Sequence, residues 1–388
     1  MTAIPGTLRA ALVAGEDSGD ILGAALLEGL RHRWPTVQAA GIGGPRMAAQ
    51  GFDAWWPHHR LSVHGFGWDT LRRIPGILSI RQRLAHRLFD APPQVFVGID
   101  APDFNLHLEE RLRQRGIRTV HYVCPSVWAW RAERLPRLQR YADLMLCVFP
   151  FEPAWLAERG IRASFVGHPL AAAIPATPDR AGARLRLGLP PESTVLAVLP
   201  GSRESEIRHL APRFLACARI VQQAWGPVHV ILPAVPQLEP QIRRIASQEP
   251  PVPHLTIVSG QSHAVLAACD VALVASGTAT LEAALFQCPM VIAYAMSPLS
   301  WRIMQGKRLQ PWVGLPNILS GEFVVPELLQ EQATPQALAK AVLAWLDAHA
   351  CSPDQITRLR QGFRALHATL LQDTPTLASQ AIAEMLGA

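Results

Sequence analysis

The sequence has no long uninterrupted apolar run. Its longest uncharged stretches, residues 220–238 and 283–301, are broken by proline, glutamine or serine, so we predict no membrane-spanning helix. At the N-terminus no basic flank leads into a long apolar stretch, because the run at 10–14 is short and ends beside acidic residues. The lack of a signal peptide predicts a protein that stays in the cytosol.

Cysteine and lysine are both scarce. The six cysteines show no paired short spacing and lie mostly in apolar runs, which implies neither a zinc site nor a disulfide framework and is typical of reduced core thiols. Lys307 and Lys340 are the only lysines, so the net charge of +6 comes almost entirely from arginine. Arginine pairs well with phosphates, and an anionic substrate or a membrane surface would fit this balance.

Common phosphate-binding and nucleic-acid signatures are missing as well. Neither GxxxxGK[ST] nor GxGxxG occurs, which argues against an ATPase and against an ordinary dehydrogenase. The basic charge is not accompanied by a recognised nucleic-acid motif, so we expect no nucleic-acid partner.

What the sequence does contain is an alternation of short apolar runs with longer helical patterns, in both halves. Strands buried on both faces give such runs, so we predict an α/β protein with two doubly wound parallel sheets. The predicted strands are residues 8–14, 95–99, 119–124, 144–149 and 164–166 in the first half and 194–199, 228–232, 255–258, 271–275 and 290–294 in the second.

A segment rich in proline and alanine, residues 171–193, separates the two halves and is the predicted linker. We therefore expect one domain at 1–170 and another at 194–345, followed by C-terminal helices at 346–388. Ligands of open α/β folds bind outside the carboxyl ends of the strands, and we expect the functional residues there.

Two turns in the second half combine glycine with hydroxyl and charged residues. The first, "LPGSRESEI" at 199–207, follows a strand and opens a helix, and its arginine can hold phosphate oxygens. In the second, "ASGTATLE" at 275–282, amides and hydroxyls can hold a diphosphate while the glutamate binds a ribose diol. The predicted nucleotide-binding residues are Gly201, Ser202, Arg203, Glu206, Ser276, Gly277, Thr278, Thr280 and Glu282. The alternative for each turn is ordinary helix capping.

The first half has a turn of the opposite charge, "GEDSGD" at 15–20. It follows the first strand and precedes a helix, where a phosphate seat would be expected, yet it carries Glu16, Asp17 and Asp20. Favourable interaction of the acids with the helix dipole, together with capping by Ser18, would be a purely structural explanation.

A set of motifs resembles, in order, those of the lipid-A-disaccharide synthases. They span roughly residues 11–332 and are long enough to make chance a poor explanation. The motifs are "AGEDSGD", "GIGGPRM" (41–47), "GIDAPDFN" (98–105), "HYVCPSVWAWR" (121–131), "FPFE" (149–152), "FVGHPL" (165–170), "LPGSRESEI", "ASGTATLE" and "GLPNIL" (314–319).

The resemblance implies a GT-B type inverting glycosyltransferase with two facing Rossmann-like domains. Such enzymes join UDP-2,3-diacylglucosamine to 2,3-diacylglucosamine 1-phosphate, forming a β-1',6 linkage and releasing UDP. The family works at the inner face of the cytoplasmic membrane of Gram-negative bacteria and needs no metal or cofactor. The resemblance also implies a homodimer with exchanged C-terminal segments, as an alternative to segments that pack back on the first domain.

The chemistry of such a transfer and the resemblance together give roles to residues of both halves. Inverting transfer needs one carboxylate to take the proton of the acceptor hydroxyl. Asp100, at the end of the strand "VFVGID", is the preferred base and Glu16 the second choice, while Arg203 would stabilise the departing diphosphate. Asn317 would contact UDP, and the acceptor side would be formed by Ser18, Gly19, Ser126 and Trp128.

Structural alternatives stand beside these roles. Asp100 can be a turn residue before Pro102, with Asp103 as the N-cap of a helix over 104–113. Trp128 can pack in the core, Asn317 can form a turn, and His168 can make a structural hydrogen bond.

Residues 60–88 form a basic segment with interleaved apolar side chains. The segment carries Arg60, Arg72, Arg73, Arg81, Arg83 and Arg87 with Asp69 as its one acid, among Phe66, Trp68, Leu71, Ile74, Ile77, Leu78 and Ile80. Such a segment can rest on the anionic inner-membrane surface, or it can be a solvated helix with its apolar side in the core.

For the whole chain, the competing functions are a UDP-sugar epimerase and a non-catalytic UDP-sugar or lipid-binding protein.

Overall fold

The computed structural model describes residues 6–61, 68–129, 135–297, 301–302, 306 and 309–388, with the backbone alone for the helical residues 68–73 and 135–137. The chain folds into two units. One comprises residues 1–169 with 369–388, and the other comprises residues 170–368. Each unit is a parallel sheet flanked by helices, so the predicted α/β class is confirmed.

The sheet of the first unit has seven strands within the described residues, in the order β3-β2-β1-β4-β5-β6-β7. Its strands are β1 (Thr7–Ala14), β2 (Thr36–Gly43), β3 (Asp53–Pro57), β4 (Val95–Ile99), β5 (Arg118–Tyr122), β6 (Leu144–Cys147) and β7 (Ala163–Phe165). Its helices before the second unit are α1 (Asp17–Arg33), α2 (Pro45–Ala49), α3 (Trp68–Asp90), α4 (Pro102–Arg113), α5 (Leu135–Tyr141) and α6 (Glu152–Ala157).

The sheet of the second unit has six strands in the part of the chain that is described, in the order β10-β9-β8-β11-β12-β13. The strands are β8 (Thr194–Leu199), β9 (Val228–Ala234), β10 (Leu255–Ser259), β11 (Val271–Ala275), β12 (Met290–Tyr294) and β13 (Glu327–Leu329). The helices are α7 (Pro169–Ala173), α8 (Arg180–Arg186), α9 (Glu204–Trp225), α10 (Glu239–Gln248), α11 (Ser262–Ala268), α12 (Thr278–Leu285), α13 (Leu315–Ser320), α14 (Pro335–Cys351) and α15 (Pro353–Leu370). Short 3-10 turns cover His58–Arg60, Pro236–Leu238 and Gln330–Gln332.

Both sheets reverse their strand order at one point. In the first sheet the reversal lies between β1 and β4, which pair in parallel, and in the second it lies between β8 and β11. At such a point the two following turns diverge to opposite faces of the sheet and leave a crevice at the carboxyl edge. The acidic turn follows β1, Asp100 follows β4, and the two glycine turns follow β8 and β11. The topology therefore places every one of these motifs beside a crevice.

All ten predicted strands are present, and the bounds of β4, β8, β11 and β12 agree with the prediction. Each of these four is buried over nearly its full length, as continuous apolar runs require. Three further strands, β2, β3 and β13, were not predicted. Alanine, glycine and glutamine dilute the apolar pattern of β2, and the other two are short edge strands with partly exposed side chains.

The predicted linker is folded over much of its length. Asp179 accepts a hydrogen bond from Gly182 N at 2.8 Å and so begins α8, which packs on α11 of the second unit. The nearly buried Arg184 donates from Nη2 to Asp270 Oδ2 at 2.9 Å, and the same oxygen accepts from Val195 N at 2.8 Å. These contacts attach the segment to the second unit and to the start of β8.

The last helix, α16 (Thr374–Leu386), returns to the first unit and packs along α1. The two helices approach so closely that a Cβ on Gly29 would lie 1.9 Å from Pro375 O. The connection is fixed by Thr374, whose Oγ1 donates to Val166 O at 2.7 Å, and by His168 N, which donates to Leu370 O at 2.9 Å. In this chain the C-terminal helix therefore packs back on the first unit.

Of the six cysteines, five are buried thiols and Cys351 is exposed, in line with the apolar runs that contain them. Within the described ranges, no helix is both long enough and apolar enough to cross a bilayer.

Candidate nucleotide site and acidic turn

The second unit has a cavity of about 310 Å³ at the carboxyl ends of β8 and β11. Both glycine turns contribute to its wall, and eight of the ten predicted nucleotide-binding residues meet here, the exceptions being Thr280 and Asn317. The lining comprises Leu199, Gly201, Ser202, Arg203, Glu206, Pro233, Val235, Ser262, Ala275, Ser276, Gly277, Thr278, Ala279 and Glu282. Its volume is at the lower end of the range for ligand pockets.

The turn after β8 is held by Glu206. Its Oε2 accepts from Ser202 N at 3.1 Å and Arg203 N at 3.3 Å, which forms a capping box at the start of α9. Gly201 has φ +118°, and a Cβ there would lie 2.5 Å from Glu206 Oε2, so only glycine fits. The carboxylate is thus engaged with the protein, and its predicted contact with a nucleotide is in competition with these bonds.

Among the described residues, Arg203 is the cationic side chain that lines this cavity. Its side chain is 73% exposed, and Nη1 lies 3.2 Å from Glu206 Oε1. A guanidinium has five N–H donors, so most of them can still be directed at phosphate oxygens. The local pairing holds the side chain beside the turn and leaves it able to bind an anion.

The turn after β11 presents Gly277 and Thr278 at the start of α12. Gly277 is the N-cap and has φ +153°, a value that side-chain-bearing residues rarely adopt. Ser276 Oγ donates to Val313 O at 3.1 Å, which joins the turn to the loop before α13. Thr280 is fully buried and its Oγ1 donates to Gly277 O at 2.8 Å, so this hydroxyl shapes the turn.

Glu282 lies on the cavity wall one turn inside α12, with 18% of its side chain exposed. Its Oε1 is 3.5 Å from His263 Nε2, and the hydrogen bond to Glu282 raises the pKa of His263. His263 was not predicted from the sequence. Its position in α11, after β10 at the same edge of the sheet, is the signal that could have identified it.

Asn317 lies in a buried network of hydrogen bonds. Its Nδ2 donates to Val325 O at 2.9 Å and Glu327 Oε1 at 2.8 Å, while Oδ1 accepts from the backbone amides of Val324 and Val325. The side chain is fully buried and its amide uses both donors and both acceptor positions within the protein. This arrangement supports the structural alternative for Asn317. Glu327, which was not predicted, also accepts from Gly314 N at 2.9 Å.

In the first unit, the turns after β1 and β4 lie against each other. A Cβ on Gly15 would be 2.6 Å from Ala101 Cβ, so glycine permits this contact. The Asp100 turn and the Glu16 turn, which carry the two predicted base candidates, are therefore neighbours. Glu16 is exposed and is the N-cap of α1.

Asp20 and Asp17 have structural partners. Asp20 is 2% exposed and its carboxylate accepts from the backbone N of Gly44, Arg46 and Met47 at 2.8, 2.9 and 3.1 Å, which caps α2. Asp17 Oδ1 lies 2.7 Å from His58 Nε2. The turn is therefore acidic partly because it holds neighbouring segments in place.

Two capping predictions in this region were wrong. Helix α1 begins at Asp17 with Glu16 as the N-cap, so Ser18 is an exposed residue inside the first turn. Helix α4 begins at Pro102 with Ala101 as the N-cap, so Asp103 is also inside its helix. Both errors come from assigning the cap to a polar residue when the chain turns one or two residues earlier.

The chain matches known proteins over nearly its whole length. Residues 10–382 match the family described as lipid-A-disaccharide synthetase. A lipid-A-disaccharide synthase of Albidiferax ferrireducens is 58% identical over 379 residues, which are 98% of this chain and 97% of that protein. The chain belongs to the lipid-A-disaccharide synthetase family.

Further members of the family are similarly close. The lipid-A-disaccharide synthase of Verminephrobacter eiseniae is 54% identical over 99% of both chains, and that of Bordetella pertussis is 50% identical over 98% of both. The chain is accordingly a glycosyltransferase, as the resemblance predicted.

Solved structures of low sequence identity share its fold. The UDP-GlcNAc 2-epimerase from Neisseria meningitidis bound to UDP-GlcNAc has a TM-score of 0.62 at 12% identity, over 98% of this chain and 99% of that one. CalG4, the calicheamicin glycosyltransferase, has a TM-score of 0.56 at 17% identity over 98% of both. Identities this low show the GT-B fold alone, so they do not favour the epimerase alternative for this member of the lipid-A-disaccharide synthetase family.

Trp128, predicted for the acceptor side of this family member, is packed in the first unit. It is 2% exposed, its ring meets Phe151 edge-on with centroids 4.9 Å apart, and Nε1 donates to Glu152 Oε1 at 2.8 Å. Ser126 is exposed, whereas Trp130 and Arg131 of the same motif lie outside the described residues. The core-packing alternative for Trp128 is therefore confirmed.

Burial shifts two ionisable groups near this cluster. It raises the pKa of Glu152, which was not predicted as a functional residue, to about 7, although hydrogen bonds from Phe149 N and Trp128 oppose the shift. Burial lowers the pKa of His168 to about 4, so this imidazole is neutral at physiological pH. Neutrality agrees with a structural part for His168.

The basic segment at 60–88 forms α3 from Trp68 onward. Ile77 and Ile80 pack against the core, whereas Ile74 and Leu78 are 40% and 41% exposed. Arg87 lies over the Trp55 ring, 3.8 Å from its centroid. Residues 62–67, with Phe66, and the side chains of 68–73 lie outside the described part of the chain.

Proposed function

We propose that this chain transfers 2,3-diacylglucosamine from its UDP donor to the 6-hydroxyl of 2,3-diacylglucosamine 1-phosphate, with inversion to a β-1',6 bond and release of UDP. Membership of the lipid-A-disaccharide synthetase family supports the two sugars. The observation that carries the proposal is the cavity at the carboxyl ends of β8 and β11, where both glycine turns, Arg203 and Glu282 converge.

The UDP part of the donor would bind in this cavity. The first-turn amides of α12 and the Arg203 guanidinium are suited to a diphosphate, because a helix N-terminus and a planar cation both favour phosphate oxygens. The carboxylate of Glu282 can accept two hydrogen bonds from the ribose diol. As the glycosidic bond breaks, negative charge develops on the departing UDP, and Arg203 would stabilise it.

The acceptor proton would go to a carboxylate of the first unit. In a single displacement the 6-hydroxyl attacks the anomeric carbon as its proton leaves and the bond to UDP breaks, so one base is enough. Asp100 is our choice because it follows β4 at the switch point of the first sheet. Glu16, exposed on the adjoining turn, is the second choice.

The acyl chains of both substrates require a route from a membrane. We propose that α3 rests on the anionic inner face of the cytoplasmic membrane, with Arg83 and Arg87 toward the headgroups. Its exposed Ile74 and Leu78 support this role, since an amphipathic helix inserts apolar side chains among acyl chains. The protein would then be peripheral on that membrane, and a homodimer is part of the same family-based proposal.

The deciding experiment measures UDP release from UDP-2,3-diacylglucosamine by the purified protein in detergent micelles. Release should require 2,3-diacylglucosamine 1-phosphate, because the acceptor hydroxyl is the nucleophile. Acceptor-independent turnover of the donor would instead indicate the epimerase alternative. A folded protein that binds UDP yet releases none under either condition would be a non-catalytic binding protein.

A further inference from the structure

The turn that carries Asp100 has an unusual backbone. Asp100 has φ +53° and Ala101 has φ +43°, so two consecutive residues with side chains lie in the left-handed region. This region is unfavourable for a residue with a side chain, because its Cβ approaches the following carbonyl oxygen. Something in the surrounding structure must hold this turn in place.

The contacts identify Asn105 as the side chain that holds it. Asn105 is fully buried, and its Nδ2 donates to Asp100 O at 2.8 Å. The same nitrogen lies 3.4 Å from Val13 O and from Ile99 O, near the ends of β1 and β4. One amide group therefore ties the Asp100 carbonyl to the two strands that border the switch point.

Helix α4 is fixed in register so that this amide can reach the turn. Asn105 and Glu109, one turn apart, both face the sheet at Gly98, where a Cβ would lie 2.1 Å from Glu109 Oε1 and 2.8 Å from Asn105 Cβ. Glu109 Oε1 also lies 2.8 Å from His121 Nδ1, and both side chains have no exposed surface. Polar residues thus occupy a helix face that would ordinarily be apolar, at the cost of desolvating them.

We propose that Asn105 is a positioning residue that holds the Asp100 carboxylate in the orientation needed for proton transfer. The inference rests on the proposed function, in which Asp100 is the base. Without the amide, the strained turn would relax toward right-handed conformations and the carboxylate would move with it. A displacement of about 1 Å in a reacting group can lower the rate by about 100-fold.

The test compares Asn105→Ala with the wild type in the acceptor-dependent release of UDP. We expect kcat to fall by about 30-fold or more while the donor KM and the UDP dissociation constant stay within about twofold, because the nucleotide binds in the other unit. Thr119→Val is the matched control: Thr119 is equally buried in the first unit, and its Oγ1 donates to Tyr141 O at 3.1 Å, away from the turn. That variant should keep its kcat.

Two double variants separate positioning from general damage. Asn105→Ala combined with Asp100→Ala should be no slower than Asp100→Ala alone, since Asn105 acts only through Asp100. Ala101→Gly lowers the cost of the left-handed turn, so adding it to Asn105→Ala should restore kcat at least threefold. If Asn105→Ala does not fold, Asn105→Ser, whose short hydroxyl cannot span the same distance, takes its place with the same expectations.

Results that would overturn the positioning role of Asn105 differ from those that would overturn the proposed function. An unchanged kcat in Asn105→Ala, or a further loss when it is added to Asp100→Ala, would overturn the positioning role. The positioning role would also be overturned if Thr119→Val lowered kcat as much as Asn105→Ala does and Ala101→Gly restored none of the lost kcat. Such a result would indicate simple destabilisation of the protein. Failure of the proposed function would be seen elsewhere: the wild type would then release UDP without acceptor, or Asp100→Ala would remain active.

Discussion

Asp100 is the residue on which the proposed proton transfer depends. Asp100→Asn keeps the size of the side chain but removes the base, so kcat should fall by about 100-fold or more. The UDP dissociation constant should be nearly unchanged, because the cavity beside β8 and β11 lies in the other unit. Steady-state kinetics with calorimetric titration of UDP checks both values. Loss of UDP binding together with turnover would count against a role as base, and Glu16→Gln tests the second choice in the same assay.

Glu152 gives a prediction about stability and pH. Burial raises its pKa to about 7 from 4.5, so the folded protein holds a proton that the unfolded chain loses in that interval. The free energy of unfolding should therefore decrease as the pH rises from about 4.5 to about 7, by roughly 3 kcal/mol in all. Glu152→Gln should abolish this decrease.

Urea unfolding at pH 5.5, 7 and 8.5 measures the Glu152 effect. At pH 5.5 Glu152→Gln should be less stable than the wild type, because the variant lacks a good hydrogen-bond partner for Phe149 N. The difference in the free energy of unfolding between the two proteins should shrink at higher pH. Glu158→Gln is the control, since its side chain is 73% exposed beside Arg159. Parallel pH curves for the wild type and Glu152→Gln would refute the assignment.

At the scale of elements, the turn between β8 and α9 is tested by Gly201→Ala. The added Cβ would meet Glu206 Oε2 at 2.5 Å, so the carboxylate would release Ser202 N and Arg203 N and the cavity wall would move. We expect UDP affinity to fall by about tenfold, equivalent to about 1.4 kcal/mol.

Gly226→Ala is the matched control for that turn. Gly226 also has a positive φ, +102°, but a Cβ there would have nothing within 4 Å. Both variants should lose stability from backbone strain, and only Gly201→Ala should lose UDP affinity in calorimetric titration. Equal affinities for the two variants would show that the geometry of the turn does not matter for the nucleotide.

Helix α3 provides a test of membrane contact. Replacing Ile74 and Leu78 together by glutamine should reduce binding to vesicles containing phosphatidylglycerol by at least about tenfold, since each side chain would bury apolar surface worth about 1.5–3 kcal/mol. Leu185→Gln, at an 81% exposed leucine of the second unit, is the control and should bind as the wild type does. Co-sedimentation with vesicles gives the comparison, and equal binding of all three proteins would remove α3 from the contact.

How well an element can be predicted depends on the sequence feature that specifies it. Continuous apolar runs encode the central strands, and glycine beside a strand end encodes the turns, so the cavity residues were found. The partners of Asn317 and Asp20 were not, because Glu327 and Gly44 meet them only after folding. Short edge strands such as β3 leave a weak pattern, and side-chain caps cannot be assigned without the backbone path.

At the scale of the whole molecule, the two units should respond differently to UDP. Saturation at about 100 times the dissociation constant stabilises a binding unit by about 2.7 kcal/mol, which slows its globally exchanging amides by about 100-fold. We expect hydrogen exchange to slow around residues 199–206 and 275–282, which line the cavity, and to be unchanged around 98–106. Arg203→Ala should lose most of this protection while retaining the fold. Protection of 98–106 by UDP alone would show that the first unit contributes to nucleotide binding, and the division of donor and acceptor roles between the units would then be wrong.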